Sequence, residues 1–178
     1  MVGPGGHVTA TDLVPEVLAT AEEYARQRGL ANLSFRQADA EALPFPEQAF
    51  DVVTCRLGVM FFPDVGQALR EIQRVLKPGG RAAFVAWGPL EQRPSVRIPQ
   101  EDILRKYVQL PPTELGALNV GRFAQAGTLL AALRDADFRQ VQEASHTIPY
   151  PWLGPPEQYW EHSREMVPNI RRLVERLA

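Results

Sequence analysis

Short apolar runs alternate with amphipathic stretches through the first half of the chain. His7-Val8-Thr9-Ala10-Thr11-Asp12 reads as a short strand that ends in an acid. Val14-Pro15-Glu16 opens a helix, with Pro15 at the first helical position, where its missing N–H costs nothing. Leu18, Ala21 and Ala25 recur at helical spacing, and Gly29 is a natural stop. Leu33 to Asp39 reads as a second strand, again ending in Asp, and Ala40 to Gln48 as a loop holding Pro44 and Pro46. Phe50 to Leu57 is a third strand, apolar enough at Val52, Val53 and Cys55 to suit burial on both faces of a parallel sheet. Asp64 is an N-cap candidate for a helix whose apolar stripe is Val65, Ala68, Leu69, Ile72 and Leu76, with Lys77 suited to the negative end of its dipole. Pro78-Gly79-Gly80 is a tight turn, and Arg81 to Trp87 a fourth strand.

The resulting order, β-α-β-loop-β-α-β, argues for a parallel sheet covered by helices, with right-handed connections. Residues 88–122 change character, with prolines at 89, 94, 99, 111 and 112 and a short amphipathic stretch at Ile103, Leu104 and Tyr107. Ala124 to Ala136 reads as a helix, Phe138 to Tyr150 as a further strand, and a terminal helix is predicted from Pro168. The expected organisation is a cofactor-binding core over 1–90, an insertion or cap over 91–122, and the rest of the same domain over 123–178.

Composition narrows the function. The chain has 178 residues, 45% hydrophobic and 22% charged, enough for a packed core in one domain. Nineteen basic residues balance 21 acidic ones, and no basic block stands out, which disfavours nucleic acid and a polybasic membrane surface as partners. No apolar run is long enough for a membrane-spanning helix. The single cysteine, Cys55, fits a cytoplasmic setting, and His7, His146 and His162 are too scattered for a shared metal.

In an open α/β sheet, ligands bind beyond the carboxyl ends of the strands. The strand-end residues here are Asp12, Asp39 and Arg56. One acid can accept both hydroxyls of a ribose, and a second acid one strand over can accept from an adenine amino group. Each Asp taken alone also fits a turn former or helix cap. The glycines of Gly3-Pro4-Gly5-Gly6 and Gly79-Gly80 precede strands; a phosphate-cradling loop follows one, so both clusters read as turns.

The stretch Gln37-Ala38-Asp39-Ala40-Glu41-Ala42-Leu43-Pro44-Phe45, then Phe50-Asp51-Val52-Val53, then Leu76-Lys77-Pro78-Gly79-Gly80-Arg81, closely resembles class I S-adenosylmethionine-dependent methyltransferases of the ubiquinone/menaquinone C-methyltransferase type. The resemblance is strong over residues 2–90 and weaker to about residue 160. It implies an α/β fold with a Rossmann-like, mostly parallel sheet, S-adenosylmethionine as cofactor and a small-molecule acceptor. Asp12 matches the acid that holds the ribose, with Leu13 packing on the adenine. Asp39 matches the acid near the adenine amino group, with the Ala40 backbone N–H facing a ring nitrogen. Arg56 matches the methionine side of the cofactor, through its backbone if not its side chain. Gly58 to Phe62 borders cofactor and substrate in the family; as a Met and aromatic run it equally suits core packing. Trp152, Tyr159 and Trp160 suit either an apolar cover or helix packing.

Relatives carry a further strand, central in the sheet, and a Gly-rich loop before the segment that matches Val2 to Gly5, and a last strand after the terminal helix. The sheet is therefore expected to lack its first, central strand and its last. A fragment of a longer product is one expectation; a homodimer in which a second chain donates the strand is its rival. No general base stands out, His146 being the one candidate. Two other classes stay open: an inactive methyltransferase-like binding module, and an NAD-dependent oxidoreductase, since an acid after the second strand also suits NAD.

Overall fold

The computed structural model describes residues 2–3, 5–89, 106–107, 121–148, 151–166 and 174–175. Most of the expected insertion at 91–122 and of the helix expected from Pro168 therefore lies outside the described residues. The chain divides into two compact units. One comprises Met1–Cys55, Phe62–Phe84 and Ala132–Arg139, and the other Arg56–Phe61, Val85–Ala131 and Gln140–Ala178.

Strand β1 (Val8–Asp12) leads into helix α1 (Pro15–Gln27), which returns the chain to β2 (Leu33–Gln37). The two strands pair in parallel from Val8 opposite Leu33 to Asp12 opposite Gln37. Of the three positions its spacing marks, helix α1 buries Leu18 and Ala25 and leaves Ala21 half-buried. Its end is a Schellman turn: the Leu30 N–H reaches the Ala25 carbonyl, the Gly29 N–H reaches that of Arg26, and Gly29 takes φ +64°. The second strand stops at Gln37, two residues before the expected Asp39. Its partner runs out there, because β1 turns into α1 after Asp12.

Strand β3 (Phe50–Arg56) pairs with β4 (Leu76–Val85) in a second two-stranded ladder. They run the same way: Asp51 near the start of β3 meets Lys77 near the start of β4, and just past β3 the Leu57 N–H bonds the Val85 carbonyl. Among the described residues, β1 pairs with β2 and β3 with β4, with no ladder joining the two pairs. Together with the helices between them, these parallel pairs make an α/β fold of the Rossmann-like class.

Helix α2 (Val65–Val75) carries the core of its unit. Val65, Ala68, Leu69, Ile72 and Val75 are all buried, and Leu69 is fully enclosed. Complete burial of such a side chain stabilises a fold by roughly 1.5–3 kcal/mol. Asp64 caps the helix, its carboxylate accepting the Gln67 N–H at 2.9 Å. Lys77 lies beyond the helix, in β4, and its ammonium bonds the Asp51 carboxylate instead of the helix end. The fourth strand starts at Leu76, not Arg81; the turn at Pro78-Gly79 lies inside its span, with Gly79 at φ +78°.

Two expectations for the second half change, and one helix appears that the sequence does not mark. Helix α3 (Thr128–Asp135) begins four residues after the expected Ala124, because Gly127 at φ +84° breaks the helical path. Within the expected strand at Phe138–Tyr150, the described residues up to Ile148 have no strand pairing. A strand needs a partner, and Gln140 takes φ +55° near its start. A helix unmarked by the apolar spacing, α4 (Pro156–Met166), follows instead.

Candidate functional site

The carboxyl ends of β1 and β2 bring Asp12 and Asp39 to one end of one parallel ladder. Asp12 closes β1 opposite Gln37. One more backbone bond, from the Ala38 N–H to the Asp12 carbonyl at 3.0 Å, carries the pairing a step past the ladder. Asp39 is the next residue.

Each carboxylate is oriented by its own loop. Oδ1 of Asp12 accepts the Val14 N–H at 2.9 Å, across the turn into α1. Oδ1 of Asp39 accepts the Glu41 N–H at 2.9 Å, and the Asp39 carbonyl accepts the Ala42 N–H. Each second oxygen, Oδ2, has no bonding partner among the described residues, and the Ala40 N–H likewise has none. Leu13 is 60% exposed beside Asp12, and its carbonyl accepts from the Gln37 side-chain amide. Two carboxylate acceptors, one N–H donor and one exposed apolar side chain thus occupy this end of the sheet. These are the group types an adenosine requires.

The loop after Asp39 is tied to helix α2. Arg74 donates through Nη1 to the Phe45 carbonyl at 2.8 Å and through Nη2 to the Leu43 carbonyl at 2.9 Å. The same guanidinium pairs with Glu71, at 2.7 Å from Nε and 2.8 Å from Nη2. Glu71 Oε2 in turn accepts the Leu43 N–H at 2.9 Å. The Arg74 hydrogen bond holds the Glu71 carboxyl below the usual range; burial works against this and the Leu43 N–H reinforces it. Glu41 adds two ties, accepting the Asp64 N–H on its side chain and the Gln67 amide on its carbonyl. The apolar period marks none of these ties. The Glu-x-x-Arg spacing on one helix face was the available signal.

Arg56 ends β3 with an exposed side chain and belongs to the second unit, whereas Asp12 and Asp39 lie in the first. In Gly58–Phe62, Val59 and Met60 are buried while Phe61 is exposed, so the run is core at its centre. Trp152 packs edge-on against Tyr159 and stacks at a tilt on His162, and its indole N–H caps the Pro155 carbonyl; this aromatic group packs α4 onto its own leading turn. His146 is exposed on a segment without strand pairing. His7 bonds Ser34 across the β1–β2 ladder. No group of three metal-ligating side chains occurs among the described residues, and no described helix is long and apolar enough to cross a membrane.

The fold and the position of its strand-end acids place the chain among Rossmann-like α/β proteins. Residues 1–84 match the family described as "Methyltransferase domain". A ubiquinone/menaquinone biosynthesis C-methyltransferase of Shewanella sediminis is 36% identical over 165 residues, covering 83% of this chain and 62% of that protein. The crystal structure of a putative methyltransferase from Bacillus halodurans superposes with a TM-score of 0.53 at 26% identity, over 73% of this chain and 52% of that one. That of the [4+2]-cyclase SpnF superposes with a TM-score of 0.52 at 29% identity, over 74% and 43%. The chain thus spans less than two thirds of the length of these relatives. Over residues 1–84 the chain is thus similar to a methyltransferase domain, and over 83% of its length to a ubiquinone/menaquinone biosynthesis C-methyltransferase.

Proposed function

We propose that this chain forms the adenosine-binding part of an enzyme that transfers a methyl group from S-adenosylmethionine to a small-molecule acceptor. The observation that carries this reading is the presentation of Asp12 and Asp39 at one end of a parallel ladder, inside the methyltransferase segment. Asp12 takes the ribose hydroxyls and Leu13 packs against the adenine. Asp39 accepts from the adenine amino group, and the Ala40 N–H meets a ring nitrogen. Arg56 belongs to the methionine end. The cofactor supplies an electrophilic methyl group on a sulfonium. The protein's part is to hold and orient it, which accounts for a large share of the rate in such transfers.

Residues 1–90 form the cofactor-binding part in this reading, 91–122 an insertion or cap, and 123–178 the remainder of the same domain. The balanced charge supports a small acceptor over nucleic acid or a membrane surface, and the lone thiol a cytoplasmic setting. A homodimer is the assembly proposal that goes with the two separate ladders, and light scattering tests it.

Titration calorimetry with S-adenosylhomocysteine and with NAD tests the function. Binding of the former, weakened in Asp39→Ala, is expected. Binding of neither compound counts for an inactive module, and preference for NAD overturns the reading in favour of an oxidoreductase.

A further inference from the structure

We propose that Glu71 and Arg74 are positioning residues for the cofactor, holding the loop that presents Asp39 and Ala40 without touching the cofactor themselves. This rests on the reading of that loop as the adenine side of the site.

The loop orders its start through Asp39, whose carboxylate and carbonyl accept the Glu41 and Ala42 N–H groups, but its proline-containing part is held from outside. Pro44 and Pro46 carry no N–H, and within Leu43–Phe45 the Phe45 N–H makes a tight contact with the Leu43 carbonyl at 2.8 Å. Arg74 adds a second donor at the Leu43 carbonyl and supplies one at that of Phe45. Its planar fork reaches the carbonyls of Leu43 and Phe45 while Nε and Nη2 grip Glu71. Glu71 closes the circuit by accepting the Leu43 N–H. Two side chains thereby fix three backbone groups of a segment that starts four residues after Asp39. Farther along, the Gln48 N–H bonds the Arg74 carbonyl, so the same residue holds both ends of the proline-containing stretch.

The pair sits at the border of the helix's buried stripe, not within it. The buried stripe of α2 runs through Val65, Ala68, Leu69, Ile72 and Val75, whereas the Glu71 and Arg74 side chains are 16% and 29% exposed at its border. An ordinary i,i+3 ion pair on a helix stabilises it by a few tenths of a kcal/mol, and that function alone needs no bonds to a distant loop. A lysine at 74 keeps the charge but offers its three donors from one nitrogen, without the planar fork whose separate nitrogens reach Glu71 and the two carbonyls.

The test uses Arg74→Lys, Glu71→Gln and the exchanged pair Glu71→Arg/Arg74→Glu. Affinity for S-adenosylhomocysteine is measured by calorimetry well below each variant's unfolding midpoint, and backbone amide exchange without ligand. A positioning role predicts a dissociation constant raised about tenfold in Arg74→Lys, the scale of residues that modulate binding from outside the contact. It also predicts faster exchange over residues 40–45, unchanged exchange in the buried stripe, and no rescue by the exchanged pair, which restores the ion pair but turns a carboxylate toward the carbonyls. Folded variants with affinity within about twofold of the parent, or with unchanged loop exchange, overturn the proposal. So does rescue by the exchanged pair, since the ion pair alone would then suffice. If the parent itself does not bind S-adenosylhomocysteine, the functional reading fails, and the cofactor role of the pair fails with it. A binding parent with insensitive variants sinks the positioning role alone.

Discussion

The backbone N–H of Ala38 donates to the carbonyl of Asp12 at 3.0 Å, one residue beyond the last paired position of the β1–β2 ladder. That bond couples the two acids: where β1 ends, the path of the chain into Asp39 begins. Asp12 also has a local duty, because its carboxylate accepts the Val14 N–H at the entry to α1. The two duties separate by mutation. Asp12→Ala removes both and is expected to weaken S-adenosylhomocysteine binding by about 1–3 kcal/mol, the scale of losing a charged hydrogen-bond partner. Asp12→Asn keeps an oxygen for Val14 and is expected to recover the turn but only part of the affinity. Calorimetry on both variants checks this, and unchanged affinity in Asp12→Ala removes the residue from the site.

Leu69 is fully enclosed at the centre of the α2 stripe. Leu69→Ala removes most of a fully enclosed side chain and is expected to cost about 2–5 kcal/mol of stability. Urea unfolding monitored by circular dichroism gives the value. A loss below about 1 kcal/mol would mean that the helix relaxes into the space.

The cap at Asp64 predicts a smaller effect. Its carboxylate satisfies the Gln67 N–H at the start of α2. Asp64→Ala is expected to cost about 0.5–2 kcal/mol, and Asp64→Ser or Asn much less, because those side chains offer the same acceptor. Thermal melts of the three variants rank them; equal midpoints for Ala and Asn would contradict the cap.

Acid sensitivity follows from Glu71. Its carboxyl is held below the ordinary glutamate value of 4.5, chiefly by the Arg74 hydrogen bond. A carboxylate with a lowered folded pKa contributes stability that is present above the unfolded value and is lost as pH falls through the folded one. The stability difference between the parent and Glu71→Gln is therefore expected to be constant near neutrality. It should shrink as pH drops below 4.5. Parallel unfolding curves across that window would show that the pair contributes nothing.

Much of this was legible in the residue pattern because it depends on local rules. The period of Val65, Ala68, Leu69 and Ile72, the Asp64 cap, Pro15 at the start of α1 and Gly29 at its end are set by neighbours within a few positions. So is the acid at the end of β1. The failures share a cause: each depended on a distant partner or on one backbone angle. The second strand ends at Gln37 because β1 runs out, and the segment after Phe138 lacks strand pairing because no described strand lies against it. The helix expected from Ala124 starts late because Gly127 adopts a left-handed conformation. Lys77 reaches Asp51, 26 residues away, in preference to the helix end beside it. In the candidate site the acids were readable as strand ends, whereas the Glu71–Arg74 grip on Leu43 and Phe45 spans 28 to 31 residues and shows only in the fold.

That grip runs in both directions. Binding free energies between coupled sites are reciprocal, so a ligand that gains affinity from the ordered loop must return the same free energy to the helix that orders it. Ligand occupancy at the strand ends would then be felt as slower opening of α2 and a higher melting temperature. The core helix would serve as a reporter of a site it does not line.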